Sequence, residues 1–138
     1  MDDAYRSDFI DAADILFFSS ANHPDPTPLV QEFLKGKPDR IVMCGMGSRG
    51  CMSGTVSEIR HHPAVELDTP VIDTNGAGDS LAMGFLTSYL LEGRTLEDSV
   101  LRGQLCARNT CSRKADSSHL ITGDELKRII AEKTFRML

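Results

Sequence analysis

The stretch Val71-Ile72-Asp73-Thr74-Asn75-Gly76-Ala77-Gly78-Asp79-Ser80 constrains this chain more than any other. An apolar, β-branched run stops at a turn of small residues, a carboxylate closes the turn, and Leu81 to Leu91 follows with few polar residues. The pattern predicts a strand, a tight turn and a buried helix. Gly76 and Gly78 let the backbone turn sharply and approach a ligand closely, so the N–H groups opening the helix can point at an anion. Asp79 then sits on the first helical turn. A carboxylate there suits removal of a proton from a hydroxyl that attacks a phosphate, and it suits equally a first-turn acid that only complements the helix dipole.

The rest of the chain fits one soluble α/β domain. At 138 residues it can own a core, since a domain of this size buries about 68 to 70% of its unfolded surface. The net charge of −5, from 20 acids against 15 bases with no basic block, argues against nucleic acid or an anionic membrane as the main partner. Cys44, Cys51, Cys106 and Cys111 form no Cys-x-x-Cys pair, and His61-His62 has no second ligand pair at finger-like spacing, so this set does not read as a metal centre. The first residues lack the apolar core of a signal peptide and no apolar run approaches ~18 residues, so a cytoplasmic protein with reduced thiols is the expectation.

Taken in order, Ile15-Leu16-Phe17-Phe18 reads as a buried strand, and Ser19 to Pro24 as its exit loop. Thr27 and Pro28 open a helix through Leu29, Val30, Phe33 and Leu34 that Gly36 ends. Arg40 to Cys44 is the next buried strand, and the alternation implies a right-handed parallel unit. Gly45-Met46-Gly47-Ser48-Arg49-Gly50 follows and matches Gly-x-Gly-x-x-Gly. A dinucleotide fingerprint needs a helix next, with an acid such as Asp68 about 20 residues on. The continuation Cys51 to Arg60, with a glycine, serines and a β-branched pair, reads instead as a hairpin. A loop that lets a nucleotide pass over the backbone fits better, with Arg49 either meeting a phosphate or remaining a solvated cation.

His61 and His62 read as exposed loop residues, and Ala64 to Asp68 brings the chain back towards the opening stretch. The helix Ala77 to Leu91 is apolar over most of its circumference through Leu81, Ala82, Phe85, Leu86, Tyr89 and Leu90, and Gly84 marks a close crossing. Thr95 to Asp98 resembles a capping box ahead of a helix that runs to about Cys111, on which Arg102 and Arg108, with Arg113 and Lys114 beyond it, read mostly as a solvated face. Ser117 to Ile121 reads as a loop. Thr122-Gly123-Asp124-Glu125 is a capping box for a final amphipathic helix through Leu126, Ile129 and Ile130.

Asp73 to Ser80, followed by Ala82, Gly84 and Phe85, resembles the C-terminal signature of the ribokinase-like, or PfkB, carbohydrate kinases. Gly47-Ser48-Arg49-Gly50 is similar to that family's Gly-x-Lys/Arg-Gly loop after a strand, and the resemblance extends to the last helix. It implies a partial three-layer α/β/α fold, with residues 1–138 forming the C-terminal half of a parallel sheet with a β-hairpin, and with the N-terminal half and the lid missing. The activity implied is ATP-dependent phosphoryl transfer to a hydroxyl of a sugar, nucleoside or related small molecule. The alternative is a truncated, non-catalytic nucleotide-binding or interaction module. By the resemblance Asp79 is the catalytic base, and Gly76, Ala77 and Gly78 form the anion hole. Gly47, Ser48, Arg49 and Gly50 line the nucleotide, and Asp73 helps to hold a monovalent cation. The cofactors implied are ATP and Mg2+, and the further partner is a second copy in a homodimer or the missing N-terminal half. The sequence departs from the family after Phe18, where Ser19 to Pro24 stands in place of an Asn-x-x-Glu motif that helps to organise magnesium.

Overall fold

A computed structural model describes residues 3–20, 23–114 and 120–138 as two compact units that divide between His62 and Pro63. The expected exit loop after the first strand and the expected loop from Ser117 therefore lie partly outside the described residues, at 21–22 and 117–119.

In the first unit, helix α1 (Asp3–Ala12) leads into β1 (Ile15–Ser19), α2 (Thr27–Leu34) and β2 (Ile41–Gly45). A single turn of 3-10 helix, Gly47–Arg49, precedes β3 (Cys51–Gly54) and β4 (Ile59–His62). The sheet runs in the order β1-β2-β3-β4, with β1 and β2 parallel and the remaining pairs antiparallel. The parallel unit and the hairpin are those the sequence predicts. α1 is not among the predicted elements, because its residues show no apolar periodicity strong enough to mark a helix.

α2 forms as its sequence dictates. Asp25 Oδ1 accepts from the Thr27 N–H at 2.9 Å, Pro28 sits in the first turn where its missing donor costs nothing, and Gly36 leaves the helix at φ +77°. Its apolar side meets one face of the sheet, where Val30, Val42, Cys44, Met46 and Met52 are buried with Phe18, Phe33, Leu34 and Ile59 against them. Phe18 and Phe33 meet edge to face with centroids 5.3 Å apart. Arg40, 2% exposed, gathers the adjoining ends: its guanidinium donates to Ala13 O at 2.9 Å, Phe33 O at 2.7 Å, Asp11 O at 3.1 Å and also Ile10 O.

The second unit holds β5 (Val65–Leu67), α3 (Ala77–Leu86), α4 (Leu96–Thr110), α5 (Gly123–Glu132) and β6 (Phe135–Met137). β5 and β6 pair antiparallel, with Val65 opposite Met137, so a short strand follows the helix predicted to be last. α5 starts on the predicted capping box: Thr122 Oγ1 accepts from the Glu125 N–H at 3.2 Å and Glu125 Oε2 accepts from the Thr122 N–H at 2.8 Å. The Thr122 N–H and, at 3.0 Å, the Thr122 hydroxyl both donate to the Glu125 carboxylate and hold it below its ordinary pKa. Val65, Leu105, Cys106 and Leu126 form the core, ringed by Leu67, Leu101, Ile121, Ile129, Ile130 and Phe135.

Three expectations change here. Val71 and Ile72 belong to no strand and are 55% and 58% exposed, and among the described residues no strand ladders with them. Leu90 and Leu91 are exposed where the end of α3 widens into a π turn at Thr87–Leu91, which rotates them off the buried side. Arg102 and Arg108 are buried, not solvated, because α4 is covered almost all round, from Ser99 and Val100 through Cys106 and Arg108. Arg102 pairs with Asp98 at 3.3 Å, and Arg94 joins Asp98 to Glu92.

α3 crosses α4 where Gly84 and Gly103 meet. A Cβ at Gly103 would lie 2.7 Å from Leu81 O, and one at Gly84 would lie 3.0 Å from the Gly103 Cα. Alanine normally gains ~1 kcal/mol over glycine inside a helix, but forced overlap with backbone costs more. Gly103→Ala is therefore expected to destabilise the protein by about 1–3 kcal/mol, read as a lower urea midpoint. Gly123→Ala, at the open start of α5 where a Cβ meets nothing within 4 Å, is expected to shift stability by less than about 0.5 kcal/mol.

Candidate functional site

The glycine turn in the second unit is held by its neighbours before any ligand arrives. Arg108 donates through Nη2 to Leu67 O at 3.3 Å, to Glu66 Oε2 at 3.4 Å and to Thr69 O, while Nη1 donates to Ser112 Oγ at 3.0 Å. Thr69 Oγ1 meets the same Ser112 hydroxyl at 2.6 Å. The N–H groups of Ile72 and Asp73 both donate to Cys111 O, at 2.7 and 3.3 Å. The run from Thr69 to Asp73 is thus lashed to the C-terminal end of α4. Burial, ahead of the opposing pull of Arg108, raises the Cys111 thiol pKa beside this junction.

Asp73 then turns the chain, its Oδ1 accepting from the Asn75 N–H at 3.0 Å. Gly76 follows at φ +77° and ψ 0°, a left-handed conformation that glycine adopts without cost. Ser80 N–H closes the first bond of α3 on Gly76 O at 2.9 Å, and Ser80 Oγ reaches Thr110 Oγ1 at 2.7 Å, which fixes the first turn against the last turn of α4. No side chain caps α3, whereas Thr95 and Thr122 cap α4 and α5. The first amides of a helix have no intrahelical acceptor, and here Ala77 N–H makes only a long bond of 3.3 Å to Thr74 O. Asp79 is exposed beside those amides, and a Cβ at Gly78 would meet nothing within 4 Å. Gly76, Ala77, Gly78 and Asp79 are therefore together at one end of one helix, with Asp73 three residues ahead of Gly76.

The other glycine loop belongs to the first unit. Gly47 and Gly50 take φ +60° and +94°, and the loop closes on itself through Met46 N–H to Gly50 O at 2.9 Å and Gly50 N–H to Gly47 O at 3.1 Å. β3 begins directly at Cys51 and pairs with β4 as a hairpin, so no helix follows the glycines and the dinucleotide reading ends here. Arg49 is engaged with the protein itself: Nη1 donates to Pro24 O at 2.6 Å and Nη2 to His23 O at 2.8 Å. Arg49 O in turn accepts from His61 Nε2 at 2.6 Å, which requires the tautomer with the proton on that nitrogen. Gly47 and Ser48 remain exposed at the tip.

His61 and His62 depart from the expected loop, since both lie on β4. His62 is 8% exposed and its Nε2 lies 2.7 Å from Ser53 Oγ across the hairpin. His61, Ser80, Thr110 and Arg108 are the positioning residues that sequence reasoning missed.

A parallel β-α-β unit continued by a hairpin, with an uncapped helix opening from a Gly-Ala-Gly-Asp turn, defines a partial ribokinase-like fold. The chain belongs to the pfkB family of carbohydrate kinases, whose pattern matches residues 9–122. It is 30% identical over 105 residues to the acarbose 7(IV)-phosphotransferase of an Actinoplanes species, covering 72% of this chain and 34% of that protein. It is 33% identical over 117 residues to the ATP-dependent ribose-1-phosphate kinase of Halopiger xanaduensis, covering 80% of this chain and 38% of that one. The fold matches the nucleoside kinase of Methanocaldococcus jannaschii with a TM-score of 0.81 at 24% identity, over 96% of this chain and 44% of that chain. The chain thus spans a little over a third of the length of each of these two relatives.

If Arg49 fastens the loop, replacing it should loosen the loop without unfolding the unit. Arg49→Met is expected to raise amide hydrogen exchange at Gly47 to Gly50 about 10-fold or more, with the β2 amides still protected. Arg49→Lys should restore little, because one ammonium cannot span both carbonyls as the planar fork does.

Proposed function

We propose that this chain is the nucleotide-binding and catalytic-base part of an ATP-dependent kinase that phosphorylates a hydroxyl of a sugar, nucleoside or related small molecule. The observation that carries the reading is Asp79, exposed on the first turn of an uncapped helix that opens from left-handed Gly76, in a member of a carbohydrate kinase family. Asp79 takes the proton of the acceptor hydroxyl as the oxygen attacks, a role worth ~10²- to 10⁴-fold. The N–H groups of Ala77 and Gly78 receive the charge of the transferring phosphoryl group, and Gly76 lets that group approach the backbone. Fixed donors of this kind contribute ~10²-fold or more each.

The loop Gly47-Ser48-Arg49-Gly50 lines the nucleotide. Its exposed tip, with open space where a Cβ at Gly47 would stand, leaves room for a ligand to lie against the backbone. Gly47 and Ser48 make that contact, while Arg49 shapes the loop from behind. Among the described residues no three His, Cys, Asp or Glu side chains are grouped to hold a metal ion. Mg2+ would therefore ride mainly on the phosphates and its own waters, a habit of that ion, and would supply charge neutralisation there. Asp73 would lend a carboxylate oxygen to a monovalent cation beside the turn. The sugar is chosen by residues outside this chain, and the complete enzyme needs the part that its relatives carry beyond the match. A cytoplasmic setting suits the four free, buried cysteines. Among the described residues no helix is long and apolar enough to cross a membrane.

The short span relative to its relatives favours a second reading, a nucleotide-binding module without turnover. Calorimetry of the 138-residue chain with ATP and Mg2+ tests the nucleotide site that both readings share: binding heat is expected, and absence of binding removes the module. In a protein completed by the missing part, Asp79→Asn is expected to lower kcat by ~10²-fold or more while nucleotide affinity stays within about two-fold. Full turnover by that variant would rule out Asp79 as the base.

A further inference from the structure

Arg49 is held in the glycine loop from two sides, by its side chain and by its main chain. The guanidinium reaches the exit loop of β1 through Pro24 O and His23 O. The carbonyl is reached from β4, where His61 Nε2 donates to Arg49 O at 2.6 Å. The need for that second hold follows from where the 3-10 turn stops. Within the turn, Arg49 N–H donates to Met46 O at 3.2 Å and Gly50 N–H to Gly47 O at 3.1 Å. The next amide in that series is Met52 N–H, but Met52 already belongs to β3, opposite Cys44 on one side and His61 on the other. The last carbonyls of a helical turn lack an internal donor, and among the described residues no backbone N–H reaches Arg49 O.

β4 delivers an imidazole to that carbonyl. Residues directly opposite each other on antiparallel strands turn their side chains to the same face, so His61 shares with Met52 the face on which α2 packs. Gly50, at φ +94° and ψ −135°, carries the chain from the 3-10 turn into β3, which leaves Arg49 O beside the start of the β3–β4 ladder. The exposure of His61 would suit a solvated strand residue, but a 2.6 Å bond to a carbonyl with no backbone donor would not. The ring has two rotatable bonds and stands on a paired strand, so little freedom is lost in holding it there.

We propose that His61 is a positioning residue of the nucleotide site: by donating to Arg49 O it keeps the Gly47–Gly50 loop in the shape that meets the nucleotide, and so raises affinity for it. This rests on the reading above, that Gly47 and Ser48 lie against the nucleotide. His61 acts through Arg49 and not by touching the ligand. Gly47 at φ +60° and Gly50 at φ +94° occupy conformations that glycine enters and leaves freely, so the loop backbone does little to keep its own shape. A loop ordered before the ligand arrives loses no further freedom on binding. One hydrogen bond of this kind is worth about 2- to 10-fold in an equilibrium constant.

The test compares the unaltered 138-residue chain with His61→Phe and His61→Gln, by residue-resolved amide hydrogen exchange without ligand and by calorimetric titration with ATP and Mg2+. His61→Phe keeps a planar ring on the strand and removes the donor, whereas the glutamine amide offers an N–H at much the same reach. In His61→Phe the Arg49 and Gly50 amides should exchange about 3-fold or more faster, with β3 and β4 still protected, and ATP should bind about 3- to 10-fold more weakly. His61→Gln should restore both. His61→Val, a strand-forming residue without a donor, guards against an effect of the phenyl ring on the hairpin and should behave as His61→Phe does. Unchanged exchange and affinity in both donor-less variants would overturn the proposal. So would a loss that glutamine does not restore, because the ring would then act by packing, and so would faster exchange with unchanged affinity, because the loop's order would then not matter to the nucleotide. If the unaltered chain binds no ATP, the proposed function loses its nucleotide site, and the exchange comparison alone decides whether His61 positions the loop.

Discussion

The crossing of α3 on α4 sets the position of everything around Asp79. Gly84 and Gly103 bring the two helices to backbone contact, closer than any residue with a Cβ would permit. Leu81 and Phe85 are buried on the same side of α3, each worth about 1.5–3 kcal/mol of transfer free energy, and they hold the pair shut. With the axes fixed, the first turn of α3 must lie beside the last turn of α4, and the Ser80–Thr110 bond records that meeting. The exposed amides at the helix start are consequently aimed by a packed core, although no side chain caps them.

Arginine does related work at three places, each time by gathering backbone carbonyls. Arg40 joins the ends of α1 and α2, Arg108 holds Leu67 and Thr69 at the end of α4, and Arg49 ties its own loop to His23 and Pro24. Loop carbonyls have no ladder to enter, and a guanidinium with five donors in a rigid fork can satisfy several at once. The arrangement is demanding, because a buried cation needs all its partners. Arg108 Nε and the neighbouring Gln104 Nε2, one turn away on α4, are buried without a hydrogen-bond partner, which marks this as the least well-satisfied part of the second unit.

Features written in local pattern were legible in the sequence. Ile15 to Phe18 and Arg40 to Cys44 gave the parallel pair, Cys51 to Arg60 the hairpin, Gly84 the close crossing and Thr122 to Glu125 the capping box. The glycine turn and the place of Asp79 on the first turn of α3 were legible for the same reason, since glycine conformation and helix starts are decided within a few residues. What failed depended on distant neighbours. Val71 and Ile72 have the composition of a strand, but a strand exists only where another can pair with it. Arg108 looked like a solvent cation because nothing in its own neighbourhood reveals that carbonyls 39 and 41 residues away converge on it. His61 was hidden likewise, since its acceptor lies across a hairpin.

The placing of these cations bears on the chemistry proposed for Asp79. A cation beside a carboxylate stabilises its charged form and so weakens it as a base. Among the described residues Asp79 has no ion pair, and of the two buried arginines on the helix that α3 crosses, Arg102 is paired with Asp98 while Arg108 spends its donors on Leu67, Thr69, Glu66 and Ser112. On the proposed reading the anion is attracted by peptide dipoles, which sum to roughly half a positive charge at a helix start and cannot swing onto the carboxylate. Dipoles fixed by packing can receive phosphoryl charge without neutralising the neighbouring base. A mobile lysine or arginine in the same place would pair with Asp79 whenever the phosphate was absent, and that pair would have to break before each turnover.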